Sequence, residues 1–550
     1  MLRKSRVALA VVVFTALTAY FLDFSETVPH FVRWLAKIQL LPALAGALDG
    51  VVLSLVIVAA LAILTLLFGR IYCSCLCPLG ILQDLISRIS VLFSRKKRKV
   101  YRYGSPRTRL RYSLFIACAL ALILNHWGIL RLSLPVGLFD PYANFGRIVT
   151  HVFYPFYALG NNLIAMIARH FGNFRFYLVR GSVQDVFTLV VAVLSLALIG
   201  IMAGRYGRIY CNTVCPVGTL LGILSRHSLL RVRINHAKCI GCRLCETACK
   251  GGCIDIEHKT IDYSRCVVCF DCLNSCKKKA IQYSRSSELS VTVHERPTEN
   301  FYSAVSPVTD FSKRRFLEGT AGLFLTGNLF SLFENISAQE PVNPNAEAAP
   351  GGLPISKNGK VGYKVEHAVS PPGSVSEDHL AARCTSCNLC IAKCPQHVIK
   401  PAFLDYGPGG MMLPVMKFST EVFCNYDCTI CGEVCPADAI KPLTLEEKHL
   451  TQIGHVVFIK ENCVVFTEET NCGACAEHCP TQAVRMIDYK GNLTIPEARE
   501  QYCVGCGACE SICPVEPFKA IHVEGNRVHK QAELPPQEEK VEVKMDDFGF

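Results

Sequence analysis

The chain has 550 residues, 31 cysteines and a formal net charge of +12. It is too long for a small disulfide-stapled scaffold, and its cysteine content is too high for an ordinary globular enzyme. Hydrophobic residues make up 51% of the chain and charged residues only 19%, which excludes a simple soluble protein.

Apolar runs dominate the first part of the chain. Four of them are long enough to cross a bilayer as helices, and they cover 7–22, 51–68, 112–130 and 183–203. Segments 1–6, 69–111 and 204–238 carry three, eleven and six lysines and arginines, so the positive-inside rule predicts that these segments are cytoplasmic. The basic run 95–99 is interpreted as a contact with membrane lipid, and no nucleic-acid partner is expected. We expect segment 131–182 to lie along the outer membrane interface.

A motif of the form Gly-Arg-Ile-Tyr-Cys-x3-Cys-Pro-x-Gly occurs twice, and segments 69–88 and 207–226 share eleven identical residues out of twenty. Parallel repeats would bring both copies to the cytoplasmic side of the membrane. Positions i and i+4 of a helical turn share one face, so each cysteine pair is predicted to point at a common centre. One interpretation is an iron–sulfur site, and the other is two thiol pairs that only pack the repeat interface. The four thiols are those of Cys73, Cys77, Cys211 and Cys215.

Two Cys-x2-Cys-x2-Cys-x3-Cys motifs follow, in the pattern of bacterial two-cluster ferredoxins, where the fourth cysteine of each motif closes the other cluster. Zinc is a weak alternative because structural zinc sites usually separate their CxxC pairs widely. The predicted ligands of one [4Fe–4S] cluster are Cys239, Cys242, Cys245 and Cys276. Those of the other are Cys266, Cys269, Cys272 and Cys249. Cys253 is close enough in sequence to replace Cys249, so this last ligand stays open.

The C-terminal part repeats the ferredoxin theme four more times, which predicts four further [4Fe–4S] clusters and six in all. Which motif exchanges its last cysteine with which is left open by the spacing. Cys75, Cys118 and Cys253 remain as spare thiols. The sixteen predicted ligands are Cys384, Cys387, Cys390, Cys394, Cys424, Cys428, Cys431, Cys435, Cys463, Cys472, Cys475, Cys479, Cys503, Cys506, Cys509 and Cys513.

A Ser-Lys-Arg-Arg-Phe-Leu-Glu sequence at 312–318 begins an apolar stretch and resembles a twin-arginine export signal. Such a signal would carry a folded, cluster-loaded domain across the membrane. The Pro/Gly/Ala-rich segment 341–373 that follows is typical of a flexible tether. We therefore expect 341–550 to be periplasmic. The alternative is a short amphipathic helix on the cytoplasmic face, with all six clusters inside.

These features predict a polytopic α-helical membrane domain, with four spans plus an internal signal-anchor-like helix, and α+β bacterial ferredoxin-like [4Fe–4S] domains on each side. The expected location is the cell inner membrane, as a multi-pass protein. The predicted parts are a membrane domain with the duplicated hairpin repeat (1–235), a cytoplasmic two-cluster ferredoxin (236–285), a linker with the signal-like helix (286–340), a flexible linker (341–382), a periplasmic four-cluster ferredoxin (383–525) and a polar tail (526–550).

Residues 1–285 resemble the NapH-type membrane polyferredoxins in their spans, their two Cys-x3-Cys-Pro motifs and their two-cluster ferredoxin. Residues 312–525 resemble the NapG/MauM-type ferredoxins in the signal, in Pro-Pro-Gly at 371–373, in the Cys463-x8-Cys472 spacing and in Cys-Val-Gly-Cys-Gly-Ala-Cys at 503–509. The two types are ordinarily separate chains, and the resemblance implies that they are fused in this one. The resemblance implies a quinol dehydrogenase module that feeds a periplasmic reductase of the nitrate or nitrous oxide type. The fusion prevents us from carrying over one particular reductase.

The motifs predict an electron conduit. The sequence contains no CxxCH haem c attachment site, and no dinucleotide, P-loop or nucleophile motif. We expect the protein to oxidise menaquinol or ubiquinol and to reduce a periplasmic cytochrome or reductase. The alternative is a maturation or reactivation factor that delivers low-potential cytoplasmic electrons to a periplasmic metalloenzyme. A third reading, clusters as structural staples or sensors, is weakened by six motifs in series.

Quinol-site candidates are polar groups expected at membrane depth or at the outer side, although each could equally be an ordinary interfacial residue. About 30 Å of hydrocarbon separates the two predicted sets of clusters. We therefore expect a membrane-soluble carrier or a partner subunit to bridge that gap. The quinol-site candidates are His126, Asp140, His151 and His170.

Overall fold

The computed structural model describes residues 2–22, 30–92, 101–129, 133–176, 178–179, 185–285 and 360–534. The predicted basic anchor and the predicted export signal lie outside the described residues. The chain divides into a larger unit, which comprises Met1–Glu288, Val365–Pro514 and Lys519–Phe550, and a smaller one, which comprises Leu289–Lys364 and Val515–Phe518. Within the smaller unit the ring of Tyr363 packs edge-on against that of Phe518, with centroids 6.1 Å apart.

The first part of the larger unit, which we call the helical domain, is built from α-helices. Three of them are long and apolar enough to cross a membrane: α1, α7 and α11. Helices α2 and α3 meet at a 72° bend and together form a fourth candidate span, whereas the apolar helix α4 has only 17 residues. The chain therefore has the character of a membrane protein. The bounds are α1 Leu2–Leu22, α2 His30–Lys37, α3 Leu40–Leu48, α4 Val52–Phe68, α5 Tyr72–Cys75, α6 Pro78–Leu92, α7 Thr108–His126, α8 Ser133–Phe139, α9 Pro141–Ile148, α10 Tyr154–His170, α11 Val186–Tyr206, α12 Ile209–Thr213 and α13 Pro216–Ser225.

The segment between α7 and α11 does not simply follow the outer interface as expected. All eight residues of α9 are buried, and the helix packs against α6 and α11. The Phe145 ring contacts the rings of Phe14 and Phe21 on α1, with centroids 5.6 Å and 6.1 Å apart. A π-helical turn, Val149–Phe153, joins α9 to α10. The aromatic side chains thus bury α9 inside the helical domain.

Each repeated Cys-x3-Cys-Pro motif forms a break between two helices, where a continuous helical turn was expected. The first cysteine lies in a short helix, α5 or α12, and the proline starts the next helix, α6 or α13. A proline disfavours helical backbone at the preceding residue, and Cys215 accordingly has an extended conformation. Each cysteine pair therefore brackets a sharp turn.

The first ferredoxin module comprises residues 230–285 and contains two short antiparallel strand pairs. Strand β1 pairs antiparallel with β4, and β2 with β3, while helices α14 and α15 pack against each other. β1 precedes the predicted start at 236 because it completes the sheet with the last strand. The bounds are β1 Leu230–Ile234, α14 Leu244–Ala248, β2 Ile254–Asp255, β3 Thr260–Ile261, α15 Asp271–Ser275 and β4 Ile281–Arg285.

The second ferredoxin module comprises residues 365–514 and 519–534. Its strands form three antiparallel pairs, β5 with β6, β7 with β10 and β8 with β9. The bounds are α16 Glu377–Arg383, α17 Leu389–Lys393, β5 Ile399–Pro401, β6 Pro414–Met416, α18 Ile430–Glu433, α19 Leu445–Leu450, β7 Thr451–Phe458, α20 Val464–Thr467, α21 Ala474–Glu477, β8 Val484–Asp488, β9 Thr494–Ala498, α22 Ala508–Ile512 and β10 Ile521–Gln531.

The two modules contact opposite ends of the same helices. At the start of α1, Arg3 Nε lies 2.7 Å from Asp271 Oδ1 of the first module. Near its end, the Tyr20 ring lies under Lys393 Nζ of the second module, at 4.9 Å. An α-helix of 21 residues is about 30 Å long, which is the thickness of the hydrocarbon core. The two modules therefore contact opposite ends of a helix that is long enough to cross a membrane.

The second module contains a buried titratable group, His522, on β10 beside Val457 of β7. Burial lowers the pKa of His522 to about 4. The unfolded value is about 6.5, so the unfolded chain binds more protons between these two pH values, and stability falls as the pH drops through this window.

We predict that the full chain loses about 2 kcal/mol of stability from His522 between pH 8 and pH 5. The variant His522→Gln should therefore show a shallower fall in unfolding temperature over this range than the wild type. Thermal melts of both proteins in the same detergent measure this difference, since acid damage to the clusters affects both alike. Parallel pH profiles would contradict the prediction.

Candidate metal centres

The first module brings its predicted ligands together around two cavities. Thiol set A, which consists of Cys239, Cys242, Cys245 and Cys276, lines one cavity. The other cavity is lined by Cys266, Cys269 and Cys272 together with both Cys249 and Cys253. We call these five thiols set B.

The sequence left open whether Cys249 or Cys253 is the fourth ligand, and the folded site contains both thiols. Their Sγ atoms lie 3.4 Å apart, and both side chains are buried. A four-thiolate cluster on set B needs only one of them in addition to Cys266, Cys269 and Cys272.

The second module answers the question of ligand exchange that the spacing left open. One cavity is lined by Cys384, Cys387, Cys390 and Cys435, which we call set C. Another is lined by Cys424, Cys428, Cys431 and Cys394, which we call set D. The first and second C-terminal motifs therefore exchange their last cysteines.

The third and fourth C-terminal motifs exchange in the same way. The thiols of Cys463, Cys472 and Cys475 have Cys513 as their neighbour, and together they form set E. The thiols of Cys503, Cys506 and Cys509 have Cys479 as theirs, and together they form set F. Each pair of motifs thus folds as a two-cluster ferredoxin unit.

Left-handed backbone shapes the loops of the compact motifs. Wherever the spacing is Cys-x2-Cys-x2-Cys, the residue after the second cysteine has a positive φ and starts a short helix that carries the third cysteine. The two motifs with longer spacing have negative φ at the corresponding helix starts. These left-handed residues are Arg243, Phe270, Asn388 and Gly507.

The thiol environments fit iron–sulfur clusters. Burial raises the pKa of Cys384 and of Cys506 to about 12, so a thiolate at either position needs a compensating cation. Backbone N–H groups point at the sulfurs: Ser386 N donates to Cys384 Sγ at 3.4 Å, and Ala280 N donates to Cys276 Sγ at 3.2 Å. Such donors stabilise cluster sulfur and tune its potential.

The geometry also separates a cluster from a single ion. Among the described residues, no three His, Cys, Asp or Glu side chains converge as ligands of one metal ion. A cubane cluster takes one thiolate at each of four separate iron corners, and each of sets A to F supplies at least four thiols. When bound, these clusters supply one-electron redox chemistry.

The repeated thiols form a second kind of site inside the helical domain. Cys73, Cys77, Cys211 and Cys215, which we call the quartet, lie in one buried core and are each 3% to 4% exposed. Polar donors face the sulfurs: Gln83 Nε2 donates to Cys211 Sγ at 3.2 Å, and Gly218 N donates to Cys215 Sγ at 3.3 Å.

Two fully buried arginines cross-brace the repeats. Arg70 Nη2 donates to the carbonyl oxygen of Cys211 at 3.2 Å, and Arg208 Nη1 donates to that of Cys73 at 2.5 Å. Each arginine thus holds the cysteine of the other repeat. A Cβ on Gly218 would lie 2.1 Å from the Cys211 carbonyl oxygen, so glycine is needed for this close approach.

The charge around the quartet is asymmetric. Asp84 pairs with Arg208 at 2.8 Å, but the equivalent position in the second repeat is Gly222. A Cβ on Gly222 would lie 2.1 Å from Arg111 Nη2, so Arg111 fills that space. Among the described residues, neither Arg70 nor Arg111 has a carboxylate within ion-pair distance. A buried positive field of this kind suits four thiolates on an iron–sulfur centre.

The spare thiols and the quinol-site candidates are dispersed. Cys75 and Cys118 are buried, Cys75 beside Ser74 and Cys118 within α7. Asp140 caps α9 by accepting hydrogen bonds from two backbone N–H groups, and His151 Nε2 lies 2.8 Å from Asn388 Nδ2 in the set C loop.

The remaining two quinol-site candidates differ in exposure. His126 Nδ1 lies 3.4 Å from Asp49 Oδ1 and is half-buried, whereas His170 is exposed. Sequence reasoning had no signal for Asp49, because its role depends on the neighbouring Arg383 and His126, which are distant in sequence.

The exchanged pairing yields a direct iron count. The double variant Cys394→Ser/Cys431→Ser removes two ligands of set D alone, so we predict the loss of about four iron atoms per chain. The double variant Cys390→Ser/Cys394→Ser damages sets C and D, and about eight should be lost. Iron and acid-labile sulfide analysis of anaerobically purified protein measures both. Equal losses in the two variants, or the reverse order, would contradict the pairing.

Two protein families match this chain. The 4Fe-4S binding domain matches residues 51–100 and 186–235, which include the quartet, and the 4Fe-4S dicluster domain matches residues 470–516, which include most of set E and all of set F. No solved structure matches the chain.

Curated relatives cover parts of the chain. The ferredoxin-type protein NapF of Escherichia coli (strain K12) is 26% identical over 142 residues, 26% of this chain and 77% of NapF. The methylamine utilization ferredoxin-type protein MauM of Methylobacillus flagellatus is 28% identical over 148 residues, 24% of this chain and 59% of MauM. The uncharacterized protein MJ0749 of Methanocaldococcus jannaschii is 44% identical over 59 residues. These residues are 11% of this chain and 24% of MJ0749. The chain therefore contains 4Fe–4S ferredoxin domains with homology to NapF- and MauM-type ferredoxins, and its function is iron–sulfur electron transfer.

Proposed function

We propose that this chain is a membrane-bound electron-transfer protein that oxidises menaquinol or ubiquinol and passes the electrons to a periplasmic reductase or cytochrome. The observation that carries this proposal is the serial arrangement of the thiol sets in the second module. Sets C and D share exchanged motifs, and so do sets E and F. Cys424 N, in set D, donates to the carbonyl oxygen of Cys506, in set F, at 2.9 Å. The neighbouring sets therefore follow one another in the order C, D, F, E.

Set C is the end of this series that contacts the helical domain. The backbone of Cys387 touches α9, where a Cβ on Gly146 would lie only 2.2 Å from the Cys387 carbonyl oxygen. Arg383, the residue before Cys384, lies 2.5 Å from Asp49 Oδ2. Electrons that enter near Asp49 would therefore start one residue from a ligand of set C.

The His126–Asp49 pair is suited to receive protons from quinol. Oxidation of a quinol releases two electrons and two protons, so a site for it needs proton acceptors close to the electron acceptor. His126 Nδ1 and Asp49 Oδ1 are 3.4 Å apart, and the histidine is half-buried at the end of α7, the end that faces the second module. Asn125, next to His126, donates to the carbonyl oxygen of Ala381 at 2.5 Å.

A second candidate function is the delivery of low-potential cytoplasmic electrons to a periplasmic metalloenzyme for maturation or reactivation. It is favoured by the contact between the first module and the quartet, since Arg208 N donates to the carbonyl oxygen of Lys250, beside Cys249, at 2.9 Å. Anaerobic reduction of the purified clusters with quinol, compared with reduced ferredoxin, separates the two functions.

We predict that His126→Gln slows quinol-dependent reduction of the clusters by roughly 100-fold, because a general base of this kind typically contributes 10²–10⁴ in rate. Reduction by dithionite should be unchanged, since it needs no proton acceptor. Stopped-flow bleaching of the cluster absorbance in detergent measures both rates. The matched control is His227→Gln, on an exposed residue that follows α13. Equal quinol rates in wild type and His126→Gln would remove this pair from the proposed site.

A further inference from the structure

Two hydrogen-bonded connections join set B of the first module to the quartet. In the first, the Lys250 carbonyl oxygen, adjacent to Cys249, accepts from Arg208 N at 2.9 Å, and Arg208 Nη1 donates to the Cys73 carbonyl oxygen at 2.5 Å. Arg208 is only three residues from Cys211. A single residue therefore contacts the backbone beside set B and the backbone of the quartet.

The second connection runs through the other repeat. Arg70 Nη1 donates to the Ser264 carbonyl oxygen at 2.8 Å and to Asn212 Oδ1 at 2.9 Å, while its Nη2 donates to the Cys211 carbonyl oxygen at 3.2 Å. Asn212 Nδ2 donates in turn to the Gly251 carbonyl oxygen at 3.1 Å. Both repeats thus contact the first module directly.

A third connection leads from the quartet to set C. The Tyr210 hydroxyl, one residue before Cys211, lies 3.5 Å from Asn144 Nδ2 on the buried helix α9. Asn144 Oδ1 accepts from Arg147 Nη2 at 3.0 Å, and Arg147 Nη1 donates to the Ser386 carbonyl oxygen at 3.2 Å. Ser386 is adjacent to Cys387 of set C. Side chains of one helix therefore bridge the distance between the two thiol sites.

These connections lie in one continuous buried core. The core contains the whole quartet together with Cys269 of set B and Cys387 of set C. Electron tunnelling falls steeply with distance and is favoured by covalent and hydrogen-bonded paths through packed atoms. An intermediate redox site divides one long transfer into two shorter ones.

We propose that the quartet is the intermediate redox site of an electron path from set B to set C. This path crosses the membrane within this single chain, without a diffusible quinone. This inference rests on the proposed electron-transfer function. In each passage one electron leaves a one-electron donor on the side of the first module, such as the radical anion of dithionite, and arrives at a one-electron acceptor on the side of the second module, such as oxidised methyl viologen. No bond forms or breaks, and every site returns to its starting state. The path removes the need, expected from sequence, for a carrier or partner subunit to bridge the bilayer.

The buried guanidinium groups support this assignment. An additional electron in an apolar core carries a large desolvation cost unless positive charge lies close to it. Arg70 is fully buried and Arg111 is 3% exposed, and among the described residues neither has an ion-pair partner. Asp84 instead pairs with Arg208 and Lys250, at 2.8 Å and 3.4 Å. The excess positive charge is thus concentrated beside the quartet.

The test uses the full chain in sealed vesicles of quinone-free lipid with methyl viologen entrapped and dithionite added outside. We expect the entrapped viologen to be reduced, with at least a tenfold lower rate in Arg147→Met, which breaks the bridge to set C. The matched control Arg169→Met, on an exposed arginine of α10, should retain the wild-type rate. Iron content and the EPR signals of the reduced clusters must be unchanged in both variants. Asn144→Ala replaces Arg147→Met if that variant loses iron.

A second readout does not depend on turnover. The double variant Cys211→Ser/Cys215→Ser should lose only the iron of the quartet, keep the EPR signals of the ferredoxin modules and abolish viologen reduction. Entrapped viologen that stays oxidised until menaquinone is added would overturn the path and leave the proposed function standing. Clusters that dithionite fails to reduce in detergent would contradict both. Wild-type transfer by an iron-replete Arg147→Met and by Asn144→Ala would also overturn the path.

Discussion

The cross-bracing of the two repeats by buried arginines is the interaction on which the rest of the structure depends. Arg70 and Arg208 each bind the carbonyl oxygen of the cysteine in the opposite repeat, and both are completely buried. A buried guanidinium is costly unless most of its donors have partners and its charge is balanced. Protein oxygens accept from the Nη groups of both arginines, and Asp84, beside Arg208, balances part of the charge. The thiolates of the quartet are placed to provide the remainder.

The same arginines connect the helical domain to the first module, because Arg70 donates to the Ser264 carbonyl oxygen and Arg208 N donates to that of Lys250. The quartet and the first ferredoxin module are therefore held together by direct hydrogen bonds. On the other side, α9 carries both the small residue Gly146, against the Cys387 backbone, and Arg147, which binds the Ser386 carbonyl. A buried helix inside a membrane domain must satisfy its polar side chains internally. Here the second module supplies one of those partners, the Ser386 carbonyl oxygen, so the set C loop is one of its contacts with the helical domain.

Spacing in the sequence identified the twenty-four ferredoxin-type cysteines and the repeated thiols, and the structure brings them together in the sets described. It left the exchange partners and the choice at Cys249 open, because several arrangements share one spacing. The position of α9 was missed. Its sequence is partly aromatic, as at a membrane interface, and only packing of Phe145 against Phe14 and Phe21 places it inside. His126 was chosen as a polar group at membrane depth, but Asp49 and Arg383 give it a context that no local pattern contains.

The sequence by itself determined the chemistry of this protein, because thiolate number and spacing dictate which metal cluster can bind, and apolar length dictates which helices can cross a membrane. Only the tertiary structure decided how these sites are connected. Hydrogen bonds between Arg208 and Lys250, and between Arg147 and Ser386, join residues more than forty positions apart. Such contacts depend on how helices pack and on which small residues permit close approach, and neither is encoded in the spacing of the ligands.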